Sequence, residues 1–281
     1  MTTTTPRPTT FLVQLTDLHI REPGRLAYRR IDTAAYLRAT LAAVGRLVQP
    51  PDAVVVTGDL TDFGRPAEYA YLRELLAPLP MPVYLMPGNH DDRANLRAGF
   101  PDHAYLGTGR FIQYTADIGD LRLVALDSVT PGHGHGTLCE ARLDWLEATL
   151  EASRGRPVVV ALHHPPFATL IGHMDRQGLL EGAARFEAIV ARHPNVERII
   201  AGHVHRAVDA RFGGTIACTS PAPAHAVFLD LAEDAASQWV LEPAQFRILA
   251  QPAAGPLVTH LVSSAETEGP YPFYDNGTLI D

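Results

Sequence analysis

Residues 54–62 read Val-Val-Val-Thr-Gly-Asp-Leu-Thr-Asp, and this stretch decides the fold. Its β-branched run, bounded by turn residues, predicts a short buried strand that ends at Gly58. Asp59 then follows just past the carboxyl end of a parallel strand, where open α/β sheets bind ligands. Because a carboxylate has two oxygens, Asp59 has the chemistry to join two metal ions about 3.5–4 Å apart.

Four further groups of polar residues each follow an apolar run of their own. They are Asp17-x-His19, Gly88-Asn89-His90-Asp91, His163-His164 and Gly202-His203-x-His205. Any one of them alone is typical of a polar loop, but five strand-end motifs in one chain indicate a shared site. Histidine nitrogens combined with carboxylate and amide oxygens suit Fe, Mn, Zn or Co. No cysteine falls within the motifs, which argues against a structural zinc site.

The order of elements predicts an α/β fold. Predicted strands at residues 11–15, 54–56, 82–86, 157–162 and 196–201 alternate with helical patterns, and two adjacent strands are predicted at 111–115 and 121–126. After residue 206 the pattern changes to short strands separated by turn signals, which predicts antiparallel hairpins. We therefore expect a disordered tail over residues 1–10, a catalytic core over 11–206, and C-terminal hairpins with a tail over 207–281. The last segment would cap the core or form a subunit contact.

Composition excludes several classes of protein. The chain has 281 residues, 46% of them hydrophobic, so it can bury a sizeable core. Its formal charge of −8 disfavours a stable nucleic-acid partner, which would require a basic face. The sequence contains no apolar run of about 18 residues, and its start has no apolar signal region, so we expect no membrane partner and a cytoplasmic location. Cys139 and Cys218 could pair, but isolated thiols in such a chain are more often reduced.

The five motifs resemble, in order and wording, those of the calcineurin-like metallophosphoesterases. Residues 58–92 and the run His163-His164-Pro165-Pro166 look most like the class III cyclic-nucleotide phosphodiesterases and the bacterial glycerophosphodiesterases. The resemblance covers about residues 11–205. It implies a four-layer α/β/β/α sandwich with a C-terminal antiparallel β appendage. It also implies hydrolysis of small phosphodiesters, such as cyclic AMP or glycerophosphodiesters, by a hydroxide that bridges two divalent or mixed-valence metal ions.

The same resemblance implies a role for each motif residue. Seven positions match the metal ligands of the family, in two groups around a shared carboxylate: Asp17, His19 and His205 for one ion, Asn89, His163 and His203 for the other, and Asp59 between them. His90 would protonate the leaving group, and Asp62 would orient His90. An alternative for Asp62 is a loop cap. We expect His164 to contact the pocket or to support a ligand from behind.

Other functions remain open at this point. A phosphomonoesterase could use the same metal core, although Phe63 stands where the Ser/Thr phosphatases carry an arginine. A metal-free scaffold is a second alternative, but such proteins usually lose ligands, and this chain has lost none. Arg206 adjoins His205 and would favour monoesters if it pointed inward. Residues 131–136, with two histidines among glycines, are predicted to be a mobile loop rather than a metal site. A homo-oligomer, a dimer or higher, is expected from the residues after Arg206.

Overall fold

The computed structural model describes residues 8–280, which form two β-sheets flanked by helices. The first part of the chain contains β1 (Pro8–Leu15), α1 (Thr33–Gly45), β2 (Ala53–Thr57), α2 (Pro66–Leu76), β3 (Val83–Met86) and α3 (Arg93–Gly99). A 3-10 turn at Ala104–Leu106 is followed by β4 (Tyr114–Ile118), β5 (Leu121–Ala125), β6 (Gly136–Thr137) and α4 (Glu140–Glu151). Then come β7 (Val158–Ala161), α5 (Gly172–Asp175), β8 (Leu179–Glu181), α6 (Ala183–Ala191) and β9 (Val196–Ala201). The C-terminal part contains β10 (Asp209–Phe212), β11 (Thr215–Thr219), β12 (Ala226–Val227), β13 (Trp239–Val240), β14 (Gln245–Pro252), β15 (Val258–Ser263), β16 (Tyr274–Asp275) and β17 (Thr278–Leu279).

Each sheet has a parallel centre. The first sheet has the strand order β15-β14-β1-β2-β3, and β1, β2 and β3 run parallel. The second has the order β10-β11-β9-β7-β5-β4, with β5, β7, β9 and β11 parallel. Antiparallel strands complete three of the four edges, through the β1–β14–β15, β10–β11 and β4–β5 pairs. The predicted α/β sandwich is therefore confirmed.

Local sequence explains the elements that lead into the site. All five residues of β2 are buried, as its run of valines predicts for a central strand. Asp32 caps α1, because its Oδ1 accepts a hydrogen bond from the Ala35 amide at 3.0 Å. Pro66 occupies the first turn of α2, where its missing N–H costs nothing.

The two sheets face each other across one hydrophobic core that contains polar links. The Gln14 side chain on β1 donates to Ala201 O on β9 at 2.9 Å and contacts the Thr57 hydroxyl on β2 at 3.0 Å. Thr10 Oγ1 donates to Ile118 O on β4 at 3.2 Å. These buried hydrogen bonds fix how one sheet sits on the other, because an unpaired polar group there would be costly.

Several predicted boundaries are wrong. β1 begins at Pro8, inside the tail predicted over residues 1–10, because β14 pairs with it from Pro8 onward; residues 1–7 of that prediction lie outside the described residues. β4 covers residues 114–118 rather than 111–115. Neither the short helix α5 nor the strand β15 was predicted.

Residues 207–280 form the expected antiparallel hairpins, and two of the four pairs extend the two sheets. β14 and β15 join the first sheet, and β10 and β11 join the second. Two small pairs stand apart from the sheets, β12 with β13 and β16 with β17. Among residues 8–280, no helix has both the length and the apolar character needed to cross a bilayer.

Candidate metal centre

The carboxyl ends of the parallel strands meet at one edge of the sandwich and bring all the predicted ligands together. The loop after β1 carries Asp17 and His19, and the loop after β2 carries Asp59. The loops after β3, β7 and β9 supply Asn89, His163, His203 and His205. Asp59 lies at the centre, with its Oδ2 3.7 Å from His19 Nε2 and its Oδ1 3.4 Å from His163 Nε2.

The first group of ligands surrounds one side of Asp59. The Nε2 atoms of His19 and His205 lie 3.2 Å apart, and His205 Nε2 lies 3.6 Å from Asp17 Oδ1. Asp17, His19 and His205 are each at most 6% exposed to solvent. Their nitrogens and oxygens therefore face a common point, as the ligands of one ion do.

The second group surrounds the other side. Asn89 Oδ1 lies 3.0 Å from His163 Nε2 and 3.0 Å from His203 Nδ1. Amide oxygen and imidazole nitrogen thus converge beside the Asp59 carboxylate. The predicted division into two ligand groups with Asp59 between them fits these distances.

Partners behind the histidines determine which ring nitrogen faces inward. His163 Nδ1–H donates to Thr57 O at 2.8 Å, and His205 Nδ1–H donates to His225 O at 3.1 Å, since a carbonyl accepts only. His19 Nδ1 lies 3.2 Å from Asp62 Oδ1. In its neutral form, each of these rings presents an unprotonated Nε2 to the centre, and this is the form that binds a metal.

The backbone of the ligand loops departs from the expected extended form. Five residues have left-handed backbone: Asp17, His19, Asp59, His203 and His205, with φ between 45° and 73°. In an extended strand, Asp17 and His19 would point the same way, because alternate residues share a face. They converge instead through this unusual conformation, which costs roughly 1–3 kcal/mol per residue and is characteristic of functional sites.

Two glycines permit the close packing of these loops. At Gly58, φ is 92°, and a Cβ atom there would lie 2.5 Å from His163 Nδ1. At Gly88 a Cβ atom would collide with Asp59 Oδ1. Any side chain at either position would push a ligand residue out of place.

The electrostatics of the cluster fit bound cations. Burial and the neighbouring Asp59 carboxylate raise the pKa of Asp17 to about 6. Although burial opposes it, the nearby His163 charge holds the pKa of Asp59 well below its usual value. Burial lowers the pKa of His163, yet Asp59 raises it overall to about 9, so this ring takes up a proton. Two buried carboxylates thus favour positive charge in the cluster. Bound divalent cations would supply this charge in place of a proton on His163. In addition, His203 Nε2 is buried without a hydrogen-bond partner.

Asp62 does not orient His90 through its carboxylate, as had been predicted. Its Oδ1 lies 3.2 Å from His19 Nδ1 but 4.0 Å from His90 Nδ1. The His90 ring is held by the backbone instead, because its Nδ1–H donates to Asp62 O at 2.8 Å. The short Asp62 side chain contacts the His19 ring, whereas the backbone carbonyl of Asp62 accepts the hydrogen bond from His90. The Asp62 carboxylate therefore positions a candidate metal ligand.

The remaining predicted residues take supporting positions. His164 contacts Ser128 Oγ at 2.8 Å and Gly134 O at 3.1 Å, and its ring lies 4.8 Å from that of His203. Arg206 points away from the cluster, donating to Val227 O at 2.8 Å and to Glu242 Oε1 at 2.9 Å. Within the described residues, the histidines of the 131–136 loop belong to no candidate metal group.

Sequence reasoning missed His225 and Trp239, which line the cavity beside the cluster. The His225 ring lies 4.5 Å from that of His205 and 5.5 Å from that of His19. Tyr28 and Trp239 lie next to it. The one available signal was that His225 follows β11, whose carboxyl end lies at the same edge as that of β9. The segment that joins β11 to His225, Ser-Pro-Ala-Pro-Ala, contains no recognisable motif.

Comparison with known proteins defines the class. The sequence profile of the calcineurin-like phosphoesterases matches residues 12–207. The chain belongs to this family, and the predicted resemblance is confirmed. Members of the family use divalent metal ions, and the His and Asp groups described above have the composition to bind them.

Individual relatives resemble the chain over most of its length. It is 35% identical over 271 residues to a protein named probable glycerophosphodiester phosphodiesterase GpdQ of Arcobacter nitrofigilis, covering 96% of this chain and 99% of that protein. It is also 35% identical to the cAMP/cGMP dual specificity phosphodiesterase MT0825 of Mycobacterium tuberculosis, over 74% of this chain and 66% of that one. Among solved structures, a dimetal phosphatase from Danio rerio shares the fold, with a TM-score of 0.66, 16% identity, and coverage of 92% of this chain and 98% of that chain.

Proposed function

We propose that this protein hydrolyses small phosphodiesters with the help of two divalent metal ions. The observation that carries the proposal is the position of Asp59, whose two carboxylate oxygens each face a different group of ligands. The names of the relatives, which include glycerophosphodiester and cyclic-nucleotide phosphodiesterases, support the same reaction type. The proposed ligands are the seven predicted residues, and the proposed ions are Fe, Mn, Zn or Co.

The proposed ligands and Asp62 would have different roles in the reaction. Two cations bound there would lower the pKa of water towards neutrality and would neutralise charge on the phosphoryl oxygens. Asp59 and the two ligand groups would hold these charges in a buried setting, where they act most strongly. Asp62, through His19, would keep the first ligand group in place.

His90 would supply the proton that the leaving group needs. Breaking the P–O bond leaves the electron pair on the departing oxygen, which takes up a proton as the alcohol forms. His90 Nδ1–H is already donated to Asp62 O, so Nε2 carries a proton only when the ring is an imidazolium. The ring is more than a third exposed and lines the cavity, within reach of a substrate. We therefore assign it the role of general acid.

A preference for diesters over monoesters follows from the charges around the cavity. A monoester dianion is bound best by additional fixed positive charge, typically arginine. Among the described residues, the side chains that line the cavity include no arginine and no lysine. Arg206 pairs with Glu242 instead, and Phe63, at the position of the phosphatase arginine, is 55% exposed.

The proposal is tested with matched substrate pairs on protein reconstituted with each metal in turn. Bis-nitrophenyl phosphate is compared with nitrophenyl phosphate, and cyclic AMP and glycerophosphodiesters are compared with their monoester products. We expect a higher kcat/KM for the diester in both sets. A preferred monoester in both sets would favour a phosphatase on the same metal core. Substrate binding that is equally strong without metal would favour a scaffold.

We further propose that the protein acts in the cytoplasm as a homo-oligomer. Cys139 and Cys218 are both free thiols, which fits a reducing compartment. The C-terminal segment exposes several large apolar side chains, which are common interface material. The division of the chain at residue 206 into a catalytic core and a cap or subunit contact remains part of this proposal, which cell fractionation and light scattering test.

A further inference from the structure

A cavity of about 310 Å³ lies beside the proposed metal centre, which forms one part of its wall. The rest of the wall comes from three separate segments: the loop before α1 with Tyr28, the α5 region with Met174, and the β12–β13 pair with Val227 and Trp239. This volume is at the lower end of the range for pockets that take drug-sized ligands, about 300–1,000 Å³. The cavity therefore has room for more than a phosphate group and a small alcohol.

Trp239 is the largest side chain of this wall, and it packs in a defined orientation. Its ring stacks on that of Tyr28, with centroids 5.6 Å apart and an angle of 25° between the planes. The His225 ring meets both at steep angles, 79° with Tyr28 and 77° with Trp239. Trp239 also packs against a small buried cluster that contains Ala27, Ile31 and Ala224.

Contacts from the metal-binding loop hold this wall in place. Trp239 pairs with Val227 between β13 and β12. Arg206, the residue after ligand His205, donates to Val227 O at 2.8 Å and to Glu242 at 2.9 Å. These direct contacts set the position of Trp239 relative to the proposed ions. They supplement the pairing of its strand, which is only two residues long.

Two buried histidines form part of the cavity wall. His173 and His225 line it and are 8% and 3% exposed, and the Nδ1 atom of each has no hydrogen-bond partner. The wall thus combines flat apolar rings with a small number of hydrogen-bonding groups.

We propose that Trp239, stacked on Tyr28, determines specificity by binding a planar heteroaromatic group of the diester, that is, a nucleobase. The proposal rests on the function proposed above, of which it names the substrate class. Every base has a π-face that stacks on an aromatic side chain, whereas a glycerol group would leave these rings uncovered. The uncharged wall suits a neutral base better than a second anionic group.

Fluorescence tests the contact without catalysis. The chain has two tryptophans, and Trp145, on α4, does not line the cavity. The Trp145→Phe variant, loaded with Mn²⁺, therefore reports on Trp239 alone. We expect AMP to quench its emission saturably and glycerol 3-phosphate at the same concentrations to leave it unchanged. Equal responses to both compounds, or none to AMP, would overturn the proposal.

Kinetics test specificity with two substrates that share a leaving group. The nitrophenyl ester of thymidine 5′-phosphate is compared with methyl nitrophenyl phosphate, which lacks the base. The ratio of their kcat/KM values should fall roughly 5- to 100-fold in Trp239→Leu, the range expected for loss of one stacking contact, and much less in Trp239→Phe. Trp145→Phe is the control and should keep the ratio of the original protein.

The outcomes separate this proposal from the function on which it rests. If both substrates slow equally in Trp239→Leu, or neither slows, Trp239 is a packing residue and the specificity proposal is wrong. If the unaltered protein hydrolyses neither diester, the phosphodiesterase proposal fails, and the AMP titration alone decides whether Trp239 binds a base.

Discussion

Individual side chains at this site act through the atoms that face away from the centre as much as through those that face it. Thr57 O, His225 O and the Asp62 carboxylate each take one ring N–H, which leaves the opposite nitrogen of a histidine free for a metal. Asp62 is itself held by Arg21, whose Nη1 lies 3.2 Å from Asp62 Oδ2. The chemistry of a ligand is therefore decided by contacts outside the ligand set.

Asp59 should be the most sensitive of the seven proposed ligands. Asp59→Ala removes the one carboxylate that faces both ligand groups, so we expect loss of both ions. The fall in kcat should exceed about 100-fold, the upper end of the effect of removing an outer partner. Metal content per chain and turnover are measured for each ligand variant, with exposed Asp120→Ala as control. Two retained ions with near-normal turnover would contradict the shared position of Asp59.

His90 should affect the proton transfer and leave the metals in place. We expect His90→Ala to keep its metal content and to lose roughly 10²–10⁴ in rate on substrates with alkoxide leaving groups. The loss should shrink for nitrophenolate, which departs without a proton. Rates across a series of leaving groups provide the measurement, and His260→Ala on the exposed face of β15 is the control. A loss independent of the leaving group would assign His90 to phosphate positioning instead.

At the scale of elements, one carboxylate ties together the loops that follow β2 and β3. Asp91 Oδ2 accepts from the amides of Leu60 at 3.0 Å and Gly88 at 2.8 Å. Its Oδ1 accepts from Tyr69 OH on α2 at 2.9 Å and from the Thr61 amide at 3.3 Å. The loops that present Asp59 and Asn89 are thereby joined without help from a metal.

Removal of this link should weaken both the fold and the site. Asp91→Ala leaves several amides without partners, so we expect the free energy of unfolding to fall by about 2–4 kcal/mol. Metal affinity should fall about 10- to 100-fold as the loops separate. Denaturant titration and metal-binding isotherms are the measurements. Asp92→Ala, which removes the N-cap of α3, is a matched neighbour that should cost about 0.5–2 kcal/mol with unchanged metal affinity. Equal metal affinity in the two variants would show that Asp91 acts on stability alone.

For the whole molecule, the site depends on how the two sheets are assembled. Asp59 belongs to the first sheet and His163 to the second, and the His163 ring reaches across to Thr57 O on β2. Asp17, on the first sheet, accepts the His203 amide of the second at 3.0 Å. Polar contacts of this kind align the ligand loops of both sheets before any ion binds.

The exposed C-terminal hairpin should be an interface. Tyr271, Phe273, Leu279 and Ile280 are between 51% and 80% exposed, which is unusual for adjacent large apolar side chains. We expect light scattering to show a dimer or higher oligomer at micromolar concentration. The double variant Phe273→Ser with Leu279→Ser should shift it towards monomer, and Val48→Ser, at an even more exposed apolar site, should not. A monomeric unaltered protein would remove the claim, and an unchanged oligomer in the double variant would move the contact elsewhere.

The sequence by itself determined the α/β alternation, the parallel strands and the polar motifs that follow the strands around Asp59. Each of these depends on a local pattern, namely an apolar run that ends in a turn and delivers a polar residue to the carboxyl edge of a sheet. The proposed assignment of ligands to two ions, in contrast, follows from the resemblance of these motifs to those of the calcineurin-like family.

The tertiary structure alone decided the rest. It placed His225 and Trp239 beside the cluster, turned the Asp62 carboxylate towards His19, and added β14 and β15 to the first sheet. These features depend on which residues from distant parts of the chain come into contact and on the pairing of edge strands. Neither hydrophobic periodicity nor turn chemistry predicts such long-range contacts, because both describe only neighbours along the chain.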